Sequence, residues 1–328
     1  MTDSAVETDF LPLAETYRRE LLAHCYRMLG SVHEAEDLVQ ETYLRAWRGY
    51  DRFEGRSSLR TWLYRIATSA CLTALESRSR RPLPTGLGAP AADPEAELAQ
   101  QPEVPWLGPI PDVLVGAGTA DPAAIITARE SIRLALIAAL QHLPPRQRAV
   151  LILREVLNWR AAEVAELLGT STAAVNSVLQ RARAQLSRAA PTEDSVTEPA
   201  TPQQRQLLEQ YVAAFERYDV PALVQLFSAD VVWEMPPFTG WYQTPGDIGR
   251  LIAAQCPAKR PGDLRLLATR ANGQPAFGMY LRDDSGQYQA FQLQVVHLRG
   301  PAIDHVAAFF DVSLFAFFGL PDVLPTRS

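Results

Sequence analysis

Charge changes sign abruptly within one stretch of this chain. From Glu34 to Glu41 every charged side chain is acidic (Glu34, Glu36, Asp37, Glu41), and from Arg45 to Arg65 six arginines meet only Asp51 and Glu54. A row of carboxylates suits a basic protein surface, whereas guanidinium groups suit phosphate, where they displace condensed counterions. The second block also carries Phe53 and Trp62 among Arg56, Arg60 and Arg65, and aromatic and guanidinium planes stack on unpaired bases. A second chemical cluster lies in RAAEVAELLGTSTAAVNSVLQRAR, residues 160–183. Its amides, hydroxyls and guanidinium groups are the types that read base edges and phosphates in a major groove.

Helices must carry both clusters. Phe10 to Ser77 reads as almost continuous helix: LLAHCYRML keeps helical apolar spacing and stops at Gly30, and Ala35, Leu38, Val39, Thr42 and Ala46 form the next stripe. Residues 49–58 interrupt, and Leu59 to Leu75 resumes. Trp47 is assigned to the core, as are the thiols of Cys25 and Cys71. Helices return at Pro122 to Leu140, Arg146 to Leu157, Arg160 to Leu168 and Thr172 to Ala189. The last two form a helix-turn-helix through Leu168-Gly169-Thr170, with Gly169 suited to a left-handed turn and Ser171 or Thr170 to an N-cap. Val175, Leu179, Ala182 and Leu186 share one face, leaving Ala173, Asn176, Ser177, Gln180, Arg181 and Arg183 outward. A helical hairpin with a solvated face is the competing reading.

The 328 residues are 47% hydrophobic, enough for two or three modules. A net charge of -6 argues against nucleic-acid binding only if the charge is spread evenly, and it is not. Nine arginines meet three acids from Arg45 to Arg81, nine meet four from Arg129 to Arg188, and Pro82 to Ala128 holds six acids and no base. Three widely spaced cysteines without CxxC or Cys/His clustering favour a reduced protein over a disulfide scaffold or zinc site, and no metal or cofactor is expected. No apolar run approaches a membrane span, and MTDSAVETDF lacks a basic n-region and an h-region, so a cytoplasmic location without membrane contact is expected.

Between Pro82 and Pro122 nine prolines and little periodicity mark a linker. WLGPIPDVLV within it is apolar enough to dock on something. After a polar stretch, Pro191 to Pro202, the texture changes to a helix (Gln203 to Tyr218) and strand-like runs at Val231 to Met235, Leu264 to Ala271, Ala276 to Arg282, Gln287 to Leu298 and Ala302 to Phe310. In the fourth run Phe291, Leu293 and Val295 alternate with Gln292, Gln294 and Val296, the period of a half-buried strand. An α+β domain with a curved antiparallel sheet is expected.

AEDLVQETYLRAW followed by FEGRSSLRTWLYRIA resembles region 2 of the sigma-70 family of RNA polymerase sigma factors, of the small extracytoplasmic-function type, and the helix-turn-helix resembles region 4. The resemblance implies a transcription initiation factor rather than an enzyme, with core RNA polymerase (its large-subunit clamp and flap) and promoter DNA as partners. It implies region 2 at 10–80, a linker at 81–125, region 4 at 126–190 and a second linker at 191–202. Asp37, Gln40 and Glu41 then grip the polymerase clamp. Phe53, Arg56, Ser57, Arg60, Trp62, Arg65 and Ser69 engage the minus-ten strand, and Thr172, Ala173, Asn176, Ser177, Gln180, Arg181 and Arg183 the minus-thirty-five element. Many members carry Asn where Ser69 stands, so the minus-ten preference is not carried over from relatives and the promoter sequence stays open. The acidic linker is implied to run extended through a basic RNA path of the polymerase; a flexible spacer is the alternative.

YVAAFERYDVPALVQLFSADVVWEMPPFTGWY and DHVAAFFDVSLFAFFGLP resemble SnoaL-like domains of the nuclear transport factor 2-like superfamily, implying a cone-shaped α+β domain over 203–322 that modulates the factor. Tyr211 falls where steroid isomerases of that superfamily place a donor tyrosine. Their two carboxylate positions fall on Met235 and Gln294, which disfavours that chemistry, although Asp304, His305 and Asp311 remain as acid/base groups. Tyr211, Trp233, Met235, Phe238, Trp241 and Gln294 are expected to line a pocket for a small apolar ligand, or else to form the domain core. A ligand-converting enzyme tethered to a DNA-binding module is the alternative from another class.

Overall fold

A computed structural model of the chain describes residues 10–77, 80–115, 131–189 and 201–324. The described parts of 1–81 and 107–192 form one compact unit, and those of 82–106 and 193–328 form another.

The first unit is helical. Helices α1 (Arg18–Leu29), α2 (Val32–Gly49) and α3 (Leu59–Leu75) pack on a core that includes Leu21, Tyr26, Met28, Val39 and Leu63. α1 ends where Gly30 turns left-handed (φ +72), and a Cβ there would stand 2.7 Å from Leu107 Cδ1, so both backbone and space require glycine. Ser31 and Ser58 begin α2 and α3 by accepting from the Glu34 and Thr61 N–H groups at 3.4 and 3.1 Å. Cys25 and Cys71 are buried free thiols. Trp47 departs from the sequence reading. The buried stripe Ala35, Val39, Thr42, Ala46 has a helical period that leaves Trp47 a step off it, 38% exposed.

The apolar run does dock: Leu107 and Ile110 are fully buried, Gly108 N–H donates to Gly30 O at 2.9 Å, and Tyr26 Oη donates to Gly108 O at 2.8 Å. Helix α4 (Asp112–Val115) follows, then α5 (Leu134–Leu140), α6 (Pro145–Leu151), a wider turn at Ile152–Val156, α7 (Ala161–Leu167) and α8 (Thr172–Ala189). The start of the helix expected from Pro122 lies outside the described residues.

The second unit holds α9 (Pro202–Glu216), α10 (Val220–Val224) and a seven-stranded sheet. Its strands are β1 (Phe227–Glu234), β2 (Trp241–Gln243), β3 (Leu264–Ala271), β4 (Gln274–Arg282), β5 (Tyr288–Arg299), β6 (Ala302–Phe309) and β7 (Val323–Leu324), with α11 (Pro245–Gln255) after β2 and α12 (Leu314–Phe317) after β6. The order is β2-β1-β6-β5-β4-β3, and β7 pairs with β5. The expected all-antiparallel sheet is corrected at one place, since β1 runs parallel to β6. β2, three residues long, is too short to show a period.

The reading of β5 as half-buried is also corrected. Gln292, Gln294 and Val296 turn toward the core shared with α9, and Leu293 and Val295 are buried on the opposite face. Phe315 and Leu320 lie on that opposite face, so close to neighbouring Gly278 that an added Cβ would stand 2.6 Å from Leu320 Cδ1. A strand covered on both sides hides its amides as well as its apolar residues. Residues 82–106 complete this unit instead of hanging free as a spacer.

Candidate nucleic-acid interface

On α2, Asp37 and Gln40 are exposed, and Glu41 meets Arg45 Nε at 2.7 Å. The same face continues at helical spacing into Leu44 and Trp47, which are 49% and 38% exposed. An acidic surface therefore runs into an apolar one. The periodicity held the signal for Trp47, which its type overrode.

A 3₁₀ turn, Tyr50–Arg52, carries the chain from α2 into the loop before α3. Phe53 and Trp62 stack there at 4.8 Å between centroids and 29° between planes, with Tyr50 at 6.2 Å from Phe53. The indole lies over the end of α2, where an added Cβ on Gly49 would stand in ordinary contact at 3.4 Å from Trp62 Cζ2. Trp62, Arg65 and Ser69 recur at i, i+3 and i+7 along one face of α3, and Ser69 is exposed. Arg56 and Ser57 lie in the loop, where Arg56 pairs with Glu54 at 2.5 Å. Arg60 is on another face of α3, with Glu20 at 2.6 Å and the Tyr64 ring at 4.9 Å. Six of the seven expected residues thus form a loop and a helix face, and Arg60 turns away from them.

The helix-turn-helix is α7 and α8. Gly169 is left-handed at φ +59, and Ser171 Oγ accepts from Ala174 N–H at 3.2 Å. Val175, Leu179 and Ala182 are buried. Thr172, Ala173, Asn176, Ser177, Gln180, Arg181 and Arg183 are all exposed, and Arg183 reaches Glu155 at 2.7 Å.

These two groups of helices meet through polar contacts. Arg148 of α6 donates to Met28 O, to Gln141 Oε1 at 2.8 Å and to Leu143 O at 3.2 Å. Arg27 Nη2 donates to Ser131 Oγ at 2.7 Å. Burial lowers both guanidinium groups to about 10, so they stay charged at neutral pH. His24 is the opposite case: burial, then the charge of Arg27, pushes it to about 3, so it is neutral. Its Nε2 lies 2.9 Å from Thr68 Oγ1, whose own proton goes to Tyr64 O, so the network assigns the His24 proton to Nε2. At the edge of the junction Arg65 meets Glu166, and Tyr64 packs edge-on against Trp159 at 6.0 Å.

In the second unit Tyr211 Oη donates to Gln294 Oε1 at 2.8 Å, with Trp233 and Met235 in the same core. Burial raises the Tyr211 hydroxyl well above its ordinary range. Phe238 packs on Phe310 at 5.1 Å. Trp241 corrects the expected lining: Tyr242 enters the core from β2 while Trp241 donates its Nε1–H to Gly88 O at 2.9 Å. Asp304 is bound to His297 and Arg299, at 2.5 and 3.2 Å. His305 is bound to fully buried Glu234 at 2.8 Å. Among the described residues no group of three or more His, Cys, Asp or Glu is placed to hold a metal ion, and no helix is long and apolar enough to cross a membrane.

Residues 13–81 match the family model of sigma-70 region 2, and residues 133–186 match that of sigma-70 region 4. The chain is 59% identical over 317 residues to the ECF RNA polymerase sigma factor SigG of Mycobacterium tuberculosis, an alignment that covers 96% of this chain and 85% of that protein. This chain is an extracytoplasmic-function sigma factor of RNA polymerase. The SigJ sigma factor of the same organism is 32% identical over 220 residues, 67% of this chain and 62% of that one. A crystal structure of Mycobacterium tuberculosis SigJ shares the fold at a TM-score of 0.59 and 22% identity, covering 94% of this chain and 98% of that one.

Like its family, this sigma factor binds core RNA polymerase and promoter DNA to initiate transcription, and it is not an enzyme. Its two helical sigma modules are followed by an α+β domain. The tethered-enzyme alternative is not favoured.

Proposed function

We propose that this sigma factor, acting in the cytoplasm, divides promoter recognition among the residues described above. Asp37, Gln40 and Glu41, extended by Leu44 and Trp47, grip the polymerase clamp. Phe53, Arg56, Ser57, Trp62, Arg65 and Ser69 hold the melted minus-ten strand, with Arg60 bracing α3 through Glu20. The exposed face of α8 from Thr172 to Arg183 reads the minus-thirty-five element. The observation that carries this reading is the Phe53–Trp62 stack at the mouth of α3, beside Arg65. A half-buried aromatic pair flanked by guanidinium groups offers a base an apolar platform and an ionic hold on its phosphate. Opening a duplex costs a few kcal/mol for each flipped base, and stacking returns about 1–3 kcal/mol per base.

In the initiating complex the linker runs through the polymerase's RNA path, where its six acids and absence of base mimic an RNA chain in charge. The α+β domain modulates initiation. Two of its buried N–H donors, Gln294 Nε2 and Trp233 Nε1, and two buried acceptors, Gln292 Oε1 and Gln204 Oε1, have no hydrogen-bond partner. Such atoms in an apolar interior suit a small, mainly apolar ligand with a few polar groups.

Binding of the purified factor to core polymerase and to a single-stranded minus-ten oligonucleotide tests the division. Asp37→Arg is expected to lose polymerase binding and keep oligonucleotide binding, and Trp62→Ala the reverse; equal losses in both assays would overturn it. Native mass spectrometry of the full chain with and without apolar extracts tests the ligand.

A further inference from the structure

Residues 82–106 are held along one edge of the second unit. β2 ends the sheet order, so among the described residues its outer backbone groups have no strand beside them, and the linker lies there. Ala91 N–H donates to Trp241 O at 2.8 Å, Thr239 N–H donates to Ala99 O at 3.0 Å, and Gln101 N–H donates to Pro237 O at 3.0 Å. Gln100 and Phe238 form an antiparallel bridge. The first of these bonds reaches β2 itself and the others reach residues 237–239 leading into it, so the strip is held by main-chain contacts of the kind with which a sheet edge accepts an extended peptide.

Side chains complete the seat. Trp241 Nε1 donates to Gly88 O at 2.9 Å, and Gln255 Nε2 of α11 donates to Glu95 O and Ala96 O at 3.1 and 2.9 Å. At the linker's start Thr85 N–H donates to Glu234 Oε2 at 3.1 Å, next to buried Leu83 and Pro84. Glu234 and Gln255 thus spend polar groups on the linker backbone, and Asp93 and Glu95 stand within the field of Arg250 on α11.

We propose that the α+β domain is a receptor for an extended peptide, that its ligand is the factor's own linker at residues 85–101, and that polymerase must take the linker from it before initiation. This rests on the linker's path through the polymerase proposed above. Linker and receptor share one chain, so their effective concentration is high and individually weak bonds suffice to hold the seat while leaving it reversible. Prolines and missing bases serve both seats: prolines keep the strip extended and cannot offer a competing strand, and acids suit Arg250 here and a basic channel there.

A disulfide lock tests this directly. A Cβ on Gly240 would stand 3.7 Å from Ala91 Cβ, inside the range of about 3.5–4.5 Å for disulfides. Full-length Ala91→Cys/Gly240→Cys is assayed with core polymerase after oxidation by oxidised glutathione, which takes up the two electrons and two protons, and again after reduction. The locked form is expected to lose at least tenfold in initiation and to regain it on reduction, with wild type and single variants indifferent to the treatment. Locked protein that initiates within twofold of its reduced form would overturn the proposal.

Trp241→Phe, which keeps an aromatic side chain and deletes the donor to Gly88, is expected to raise initiation several-fold at limiting polymerase; unchanged or lower initiation counts against the receptor. A benzophenone amino acid in place of Glu97 separates the two ideas. No polymerase adduct in the holoenzyme removes the channel path and the competition with it. An adduct together with full activity of the locked form overturns the receptor's role alone.

Discussion

Arg65 Nη1 on α3 lies 2.9 Å from Glu166 Oε1 on α7, so an arginine proposed to face the minus-ten strand is paired with the helix-turn-helix. Regions 2 and 4 occupy one compact unit, whereas the promoter elements they bind are set apart by roughly two turns of duplex, about 70 Å. In the proposed division of promoter recognition the two regions part on the promoter, and contacts such as this one are exchanged for phosphates. Both side chains are substantially exposed, and such pairs are worth about 0–1 kcal/mol. Glu166→Ala is therefore expected to leave the melting temperature within about 2 °C and to tighten binding of a single-stranded minus-ten oligonucleotide by two- to fivefold, read by fluorescence anisotropy. Weaker binding would contradict the pairing's masking role.

Arg148 is the stronger fastening. It is 3% exposed and bonds to Met28 O across the junction as well as to Gln141 and Leu143. Its removal leaves several buried acceptors unmet, at about 1–3 kcal/mol each where water cannot reach. Arg148→Ala is expected to destabilise the first unit by about 2–4 kcal/mol in denaturant melts and to speed amide exchange in α6 and at the end of α1. A change below about 0.5 kcal/mol would contradict the junction.

Phe53 and Trp62 stack on each other and, in the proposed reading, act as one platform. Phe53→Ala and Trp62→Ala are each expected to weaken the single-stranded minus-ten oligonucleotide by about 1–3 kcal/mol, and the double variant by less than the sum. Closed-duplex binding through α8 is expected to stay within twofold. Strict additivity in a double-mutant cycle would contradict a shared surface.

The Glu234–His305 pair makes the second unit pH-sensitive. Burial lowers the imidazole, but the hydrogen bond to Glu234 and the charges of Glu234 and Asp304 outweigh it and carry His305 above 6.5. His297 and Arg299 are both bound to Asp304, and Arg299 also to Asp230. A folded pKa above the unfolded one means that the stabilisation is full below about pH 6.5 and fades as pH rises through the folded value. Calorimetry is expected to show the second unit of wild type above His305→Gln in melting temperature at pH 6, with the gap closing by pH 9. A gap independent of pH would contradict the linkage.

Much of this architecture is legible in the sequence because it rests on local periodicity. The apolar stripes of α1 to α3, Gly30, Gly169 and the Ser171 cap are each visible within a few residues of themselves. The strand runs at Leu264–Ala271 and Ala302–Phe309 also show, the first as an apolar run of leucine and alanine and the second through Ile303, Val306 and Phe309. What does not show depends on distant partners. Nothing near Trp241 says that its indole holds Gly88, and nothing near Glu234 says that a buried carboxylate meets both His305 and Thr85. The glutamines of β5 look like an outer face until Tyr211 is known to lie against Gln294. Trp47 is missed for the opposite reason, since its type suggests a core that its helical phase denies.

The division of labour in promoter recognition is tested most directly by mapped run-off transcription with purified core polymerase and genomic fragments. Discrete start sites are expected with the wild-type factor. Asn176→Ala and Trp62→Ala are expected to abolish them while still co-purifying with polymerase, and Asp37→Arg to abolish both the start sites and the co-purification. Start sites that persist in Trp62→Ala and Asn176→Ala, or polymerase binding that survives Asp37→Arg undiminished, would contradict it.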